Sequence, residues 1–528
     1  NPLKNVKLMI IILKIKSIIL LFLGMISLVG CNDLIDIKSP GITQDAIPKT
    51  KEDAVGLVTG CYSIFMDYDQ TQGVDNWVEG WFCQWLVAEE CGDDCYKGGD
   101  SHGDFQGEED LGYFKTGYNN IIDWKWRKMW IGISRCNNAI NSIPGVQDID
   151  SDLSARLVAE AKFVRAYLYM ELLRNFGDLP LITTVIKSTD VNQPRIPMKQ
   201  IYESLVETDL LAAAEVLPQK SEYTNAEAGR ATRGAALSLL AKAYLYEKKW
   251  SDAYTTAKTV ITEGEYSLEG NFRDIFEVDN VNGKESIFEI PYSGNQTYPF
   301  GWVGANAIGS RDDGSWGWLQ PSTDLDREFE TGDPRHQLTI IHDGDTFVDE
   351  WNGQPYPITA VRSNQAPYTA SYKYFIPKSK RVANNWLRQN YNLQLIRYAD
   401  LLLMYGEAAL QSSHQADANW AVEQVRERAR KMSTDPTTIL PTISTVTMDN
   451  IIHERRVELA TEGHRFYDLK RWGIAQQVLN ALPAKIATYP EGAYIGPKGA
   501  LYQSPRNDYF AIPTSDLSRA GWTQNPGY

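Results

Sequence analysis

The chain has 528 residues, with 67 Asp and Glu against 52 Lys and Arg and a formal net charge of −15. That length exceeds one ordinary domain and can bury a large core. Such acidity excludes partners held by positive charge, namely nucleic acid and anionic lipid headgroups.

The first element in chain order is a secretory signal. Lys4, Lys7, Lys14 and Lys16 lead into an apolar run from Ile18 to Val29. It ends in Leu28-Val29-Gly30-Cys31, which resembles a lipobox, where cleavage precedes a diacylated Cys. The run is short for a membrane span, and polar Asn32, Asp33 and Asp36 follow it. Residues 1–30 therefore read as the signal peptide and Cys31 as the lipidated residue, so acyl chains hold the protein to its membrane.

Cys61, Cys83, Cys91, Cys95 and Cys136 remain, an odd number that leaves at least one unpaired within the chain. In "EECGDDCYKGGD" a local disulfide between Cys91 and Cys95 suits an oxidising compartment. A zinc pair there has only His102 close by, and the six His of the chain show no clustering, so no metal site is expected. The acidic residues Asp93, Asp94, Asp100, Asp104, Glu108, Glu109 and Asp110 miss the EF-hand spacing and read as a solvated loop.

Apolar spacing of three and four residues predicts helices over 152–175, 199–217, 231–247, 250–263, 394–411, 416–431 and 447–462. Several come in pairs joined by short turns. In "LSLLAKAYLYEKKWSDAYTTAKTVI", Leu237, Leu240, Ala241 and Tyr244 face Ala253, Ala257 and Val260 across a Lys-Lys turn. That pattern resembles a tetratricopeptide repeat, in degenerate copies. The fold class is mainly α, with degenerate tetratricopeptide-like helix pairs and long aromatic, Gly-rich loops.

Two regions break the rhythm. Residues 67–123 carry Tyr68, Trp77, Trp81, Trp85, Tyr96, Phe105, Tyr113 and Tyr118. Residues 290–322, "IPYSGNQTYPFGWVGANAIGSRDDGSWGWLQPS", carry six Gly among Tyr292, Tyr298, Phe300, Trp302, Trp316 and Trp318. Aromatics in long loops without periodicity suit the presentation of flat rings to pyranose faces, with Asn295, Asn306, Arg311 and Asp312 near to bond hydroxyls. The candidate ligand-binding set is Trp77, Trp81, Tyr96, Tyr292, Tyr298, Trp302, Arg311, Trp316 and Trp318, with at least two rings expected to stand exposed and the others to pack the loops down.

The stretch "HERRVELATEGHRFYDLKRWG" at 453–473 interleaves five Arg and Lys with four Asp and Glu. Glu454, Glu458 and Glu462 form a like-charge stripe, unfavourable alone. Gly463 ends that helix, and Arg465 and Arg471 are placed to fold back as bidentate partners. The stretch holds no nucleophile, and His453 and His464 have no metal-ligand spacing. It reads as a structural joint. Elsewhere no G-x-S-x-G, H-E-x-x-H, P-loop or dinucleotide fingerprint occurs, so no catalytic residue and no cofactor is expected.

Six segments together resemble the SusD/RagB family of outer-membrane nutrient-binding lipoproteins of Bacteroidota. They are "LVGCNDLID" at 28–36, "AEAKFVRAYLYMELLRNFGDLPLI" at 159–182, "FETGDPR" at 329–335, "IRYADLLLMYGEAAL" at 396–410, the 453–473 stretch, and "TQNPGY" at 523–528. The resemblance implies a SusD-like fold built on four degenerate tetratricopeptide units. It also implies a division after the signal into an N-terminal region, 31–320, with repeats and binding loops, and a C-terminal RagB/SusD region, 321–528. It implies no catalysis but capture of oligo- or polysaccharide at the outer membrane, beside a SusC-like TonB-dependent porin that the protein caps. Peptide capture occurs in the same family and is the alternative ligand class; a secreted glycoside hydrolase is the rival activity.

Overall fold

The computed structural model describes residues 48–66, 81–99, 104–115, 119–185, 193–294, 299–311, 314–349, 354–357, 368–382, 389–489 and 498–528. The signal with Cys31, and Trp77 and Tyr298 of the candidate set, lie outside the described residues.

Helices dominate, and each has a local cause. Helix α1 (Lys51–Tyr62) starts at a capping box, where Thr50 accepts from Asp53 N at 3.1 Å and Asp53 accepts from Thr50 N at 3.0 Å. Helix α2 (Trp81–Glu90) leads to strand β1 (Cys95–Gly98), followed by α3 (Gln106–Gly112) and α4 (Asn120–Ser142). Helix α5 (Ser151–Phe176) is capped by the Asp150 carboxylate, which accepts from Asp152 N and Leu153 N. It stops at Gly177, whose φ of 71° only glycine adopts freely. From Phe163 to Leu173 every α5 residue is buried, as expected of a helix at the centre of a core.

Helix α6 (Glu207–Val216) is entered through a π-helical turn, Tyr202–Val206, and is followed by α7 (Arg233–Tyr246) and α8 (Trp250–Glu263). After a long excursion the array resumes with α12 (Tyr398–Gln411) and α13 (Gln415–Lys431). The excursion contributes strands β2 (Ser286–Gly294), β3 (Pro299–Phe300), β4 (Trp318–Pro321), β5 (Ile340–His342), β6 (Thr369–Ser371) and β7 (Tyr391–Arg397), and short helices α9 (Gly304–Ile308), α10 (Thr323–Asp326) and α11 (Pro334–Thr339). Helices α14 (Met448–Glu458), α15 (Arg465–Trp472) and α16 (Ala475–Ile486) complete the part that matters here.

Packing runs in series: α1 on α4, α4 on α5, α5 on α6, α6 on α7, α7 on α8, α8 on α12 and α12 on α13. Small residues set the close approaches. Ala241 and Ala243 of α7 and Ala253 and Ala257 of α8 are buried, and a Cβ on Gly406 would meet Ala421 of α13 at 3.2 Å. The mainly α, tetratricopeptide-like array is the one expected from the periodicity. Among the described residues no helix is long and apolar enough to cross a membrane.

The expectation of helix over 394–411 is corrected at its start. Residues 391–397 form β7, antiparallel to β2, with Leu393 opposite Ile290 and Ile396 opposite Phe288. Leu393, Leu395 and Ile396 fit either period, and the partner strand decides. Helix α14 also ends earlier than 462. Glu458 is its last residue, and the chain turns through Thr461 (φ 63°) and Gly463 (φ 79°).

The joint at 453–473 is a buried ion-pair network, but its partners differ from those expected. Glu454 accepts from Arg335 at 2.5 Å and Arg426 at 3.1 Å. Glu458 accepts from Arg335 at 3.0 Å, from Arg397 at 2.7 Å and from Arg428. Glu462 takes Arg397 and Lys373, each at 2.6 Å. Arg465 instead grips Asp93 through two bonds of 2.7 and 2.9 Å, and Arg471 pairs with Glu407 and Asp468. Arg456 bonds Asp94 at 2.7 Å, Asp324 at 2.9 Å and Glu328 at 3.0 Å. Asp93 and Asp94 are therefore buried counter-ions and not members of a solvated loop. The Cys91–Cys95 disulfide is also corrected. Cys61, Cys91, Cys95 and Cys136 are free and buried, with Cys91 Sγ donating to Leu111 O and Cys95 Sγ to Glu89.

Two predictions follow from this network. Glu458→Ala removes the carboxylate shared by Arg335, Arg397 and Arg428, leaving three buried guanidinium groups one counter-charge short, with Asp333, Glu454, Glu285 and Glu462 as their remaining partners. It should lower unfolding free energy by about 3–5 kcal/mol, read from the urea midpoint at constant slope. The second concerns Glu89, whose carboxyl is pushed up to about 8 by burial and by the charge of Asp94. A raised folded pKa stabilises the fold below the unfolded value, and this is lost as pH rises through the folded one. Melting temperature should fall from about pH 5 to about pH 9, and Glu89→Gln should flatten the upper part of that fall. An unchanged slope in the variant would assign the titration elsewhere.

Candidate functional site

The excursion between α8 and α12 carries the aromatic loop, and its backbone explains where each ring goes. Strand β4 pairs antiparallel with β1, Tyr96 opposite Gln320 and Gly98 opposite Trp318. Glycine is required at 98, because a Cβ there would lie 2.2 Å from Gly317 O. The turn before β4 folds onto α9. Trp316 N donates to Asn306 O at 3.1 Å and Gly317 N to Gly309 O at 2.9 Å.

These contacts set three rings side by side. Trp318 is buried at the centre, its Nε1 donating to Asp104 at 3.2 Å. Phe105 stacks on it in parallel, centroids 5.2 Å apart, and Trp316 leans against it at 4.9 Å and 52°. Phe105 and Trp316 are only half-buried, so the outer members of the trio reach the surface.

Ser315, the residue before Trp316, lines a cavity of about 410 Å³ together with Asn306, Gly314, Phe375, Arg381 and Gln389, among others. Asn306 is 8% exposed, and its Nδ2 has no acceptor among the described residues. A buried amide donor without an acceptor costs desolvation energy that a ligand oxygen would recover. The Arg381 Nε donates to Ile376 O at 2.8 Å, and the Gln389 Oε1 accepts from Val382 N at 2.8 Å, so both side chains are braced by backbone. The cavity thus offers amides, a hydroxyl and a guanidinium, with Phe375 in its wall.

The rest of the candidate set is corrected by burial. Trp302 is fully buried, stacked on Tyr391 at 4.8 Å and set edge-on to Trp85 at 6.0 Å, and a Cβ on Gly304 would strike its ring. Tyr292 is buried and donates to Phe65 O at 2.5 Å. Trp81 packs edge-on to Phe65 at 4.7 Å. Tyr96 lies in a small core with Leu482 and Ile486. None of these four, nor Trp318, presents a ring face to solvent, because each has partner rings or aliphatic side chains on the sides a ligand needs. Arg311 is half-buried, its Nη1 donating to Trp316 O at 3.4 Å, and so braces that ring's backbone. Sequence reading missed Ser315, Arg381 and Gln389. Arg381 and Gln389 lie 59 and 67 residues beyond the end of the aromatic loop at 322, and nothing in their local pattern marks them.

A second cavity, of about 440 Å³, lies among Trp126, Trp130, Ile131 and Trp522. Its tryptophans meet edge to face, Trp126 and Trp130 at 69°, and Trp522 Nε1 is tied to Gln193 O.

Comparison with known proteins agrees with the helical fold. A sequence model described as "SusD family" matches residues 284–528, and one described as "Starch-binding associating with outer membrane" matches 98–245. The chain is 26% identical over 542 residues to SusD-like protein P2 of Formosa agariphila, covering 98% of this chain and 99% of that one. A SusD-like protein of Bacteroides ovatus is 26% identical over 410 residues, covering 71% of this chain and 68% of the other. Among solved structures, a laminarin binding SusD-like protein superposes with a TM-score of 0.74 at 25% identity, covering 91% of this chain and all of that one. Surface glycan-binding protein A from Bacteroides fluxus gives 0.73 at 25% identity over 91% of this chain. With the helical array, both family models and relatives matched along nearly the whole length in agreement, the chain belongs to the SusD/RagB family.

Proposed function

We propose that this protein is a non-catalytic glycan-capturing lipoprotein of the outer membrane, which passes oligo- or polysaccharide to a SusC-type TonB-dependent transporter. The observation that carries the reading is the half-exposed ring of Trp316, whose neighbour in the chain, Ser315, lines the cavity that contains the unsatisfied Asn306 amide. A ring stacks on the C–H face of a sugar while amide, hydroxyl and guanidinium groups bond its hydroxyls. Such groups hold hydroxyls in place. They are not the facing carboxylates that glycoside hydrolysis uses. Relatives named for laminarin and surface glycan binding support the same ligand class, with β-glucan the first to test.

The site predicts a split between binding and stability. Trp316→Ala should weaken binding of laminarin oligosaccharides by roughly 5–30-fold, about 1–2 kcal/mol, while melting near wild type. Trp302→Ala removes a core ring and should cost about 3–5 kcal/mol of stability. Calorimetry and thermal melting on both variants check this. If Trp316→Ala binds as wild type, the stacking site lies elsewhere; if only peptides are retained in parallel titrations, the ligand class is peptide. Released reducing ends on incubation with laminarin would make the protein a hydrolase.

Anchoring has its own test. Cys31→Ala should move the protein from the membrane fraction to the soluble fraction once any transporter complex is dispersed, because the acyl chains are then lost. A variant that still pellets would place the anchor outside Cys31.

A further inference from the structure

The histidines were expected to be scattered, yet the fold brings two of them to one carboxylate. His336 Nε2 lies 2.6 Å and His342 Nε2 2.9 Å from the same oxygen, Asp326 Oδ1. The potential ligand atoms of the three residues all lie within 4.8 Å of one another.

We propose that Asp326, His336 and His342 form a surface site for a divalent transition-metal ion of the zinc class, bound through two imidazole nitrogens and one carboxylate oxygen. Each ligand comes from a separately anchored element. Asp326 ends α10, whose cap Ser322 accepts from Leu325 N at 3.1 Å and donates to Asp93 O at 2.8 Å. His336 follows Arg335 on α11, and Arg335 is fully buried between Asp333, Glu454 and Glu458. His342 ends β5, paired with Thr369 of β6. The backbone is thus set, while the side chains stay about one-third exposed, at 34% for His336, 37% for His342 and 27% for Asp326. An ion has an open approach.

The chemistry selects the metal. Two imidazoles with one carboxylate suit zinc and its neighbours, whereas calcium and magnesium prefer all-oxygen sets. Ligand atoms of a tetrahedral zinc with bonds of about 2.0–2.1 Å stand roughly 3.3–3.4 Å apart. The two separations from Asp326, 2.6 and 2.9 Å, need to open by less than about one ångström, within reach of exposed side chains.

A coordinating imidazole must carry its proton on the nitrogen that does not bind. For His342 that nitrogen, Nδ1, faces Asp345 Oδ2 at 3.6 Å, and the same carboxylate accepts from His342 N at 2.7 Å. A carboxylate behind a ligating imidazole orients the ring and fixes its tautomer. Phe329 stacks on the His336 ring, centroids 5.0 Å apart, and limits its rotation. Three protein ligands leave a position open for water or for a donor from a bound molecule.

The test uses the full chain, purified without a polyhistidine tag, stripped by a chelator and titrated with Zn²⁺ by calorimetry. One saturable site per chain is expected, with no comparable heat from Ca²⁺ or Mg²⁺. His336→Gln and His342→Gln should each abolish that site while melting as the metal-free wild type does. Asp345→Asn should weaken it about 10–100-fold. Co²⁺ in place of Zn²⁺ should give the intense visible absorption of four-coordinate cobalt, lost in both histidine variants. No saturable Zn²⁺ binding by the wild type, or binding that survives in both histidine variants, overturns the proposal.

Discussion

Glu458 is a fully buried carboxylate held between the guanidinium groups of Arg335, Arg397 and Arg428, and most of the molecule is tied to it. Removing such a charge from water costs several kcal/mol, and only multiple well-aligned bonds repay that. Here the partners come from three distant parts of the chain: α11, the end of β7 and α13. The surrounding cations hold the Glu458 carboxyl well below the usual carboxylate range against the opposing effect of burial. The network therefore does more than neutralise a like-charge stripe. It fixes where the excursion from the helical array returns to the array.

The same network reaches both sites. Arg456 and Arg465 hold Asp94 and Asp93, and the backbone of that pair in turn receives Ser322, through Ser322 N to Asp94 O at 2.6 Å and Ser322 Oγ to Asp93 O. Ser322 follows β4, the strand that carries Trp318, and caps α10, the helix that carries Asp326. On the other side Arg335 pins α11, which carries His336. The ring trio and the His–Asp cluster are thus two outlets of one buried charge cluster, each exposed at its outer members and rigid behind.

The aromatic loops show where sequence reading succeeds and fails. Gly spacing and aromatic density in 290–322 mark the region of the proposed binding surface, and Trp316 is a half-buried ring of that region that follows Ser315, a residue of the cavity lining. The same density in Trp302 and Tyr292 serves the opposite end. Those rings close the core beneath the excursion, packing against Trp85, Tyr374 and Tyr391. Whether a loop tryptophan faces solvent or core depends on what arrives from elsewhere in the chain, and here that is β7 and the segment around Tyr374. The partners of the glutamate stripe follow the same rule. The need for guanidinium groups is evident from Glu454, Glu458 and Glu462, but Arg335, Arg397, Arg426 and Arg428 supply them in place of the adjacent Arg465 and Arg471.

The sequence by itself determined the mainly α class, the paired helices, the structural role of 453–473 and the family, because each rests on local periodicity or on short motifs kept in order along the chain. It also carries the lipobox-like Leu28-Val29-Gly30-Cys31 on which the proposed anchor rests, a matter of covalent processing that needs no fold. Only the tertiary structure decided that Leu393–Ile396 is a strand, that Cys91 and Cys95 stay apart and free, that Asp93 and Asp94 are buried counter-ions, and that His336 and His342 meet at Asp326. The strand pairing and the counter-ions depend on residues brought together from distant parts of the chain, while the thiols and the histidines depend on how nearer segments fold onto one another. Periodicity carries no information about such contacts, since the energy that selects them lies in burial and charge pairing between separate elements.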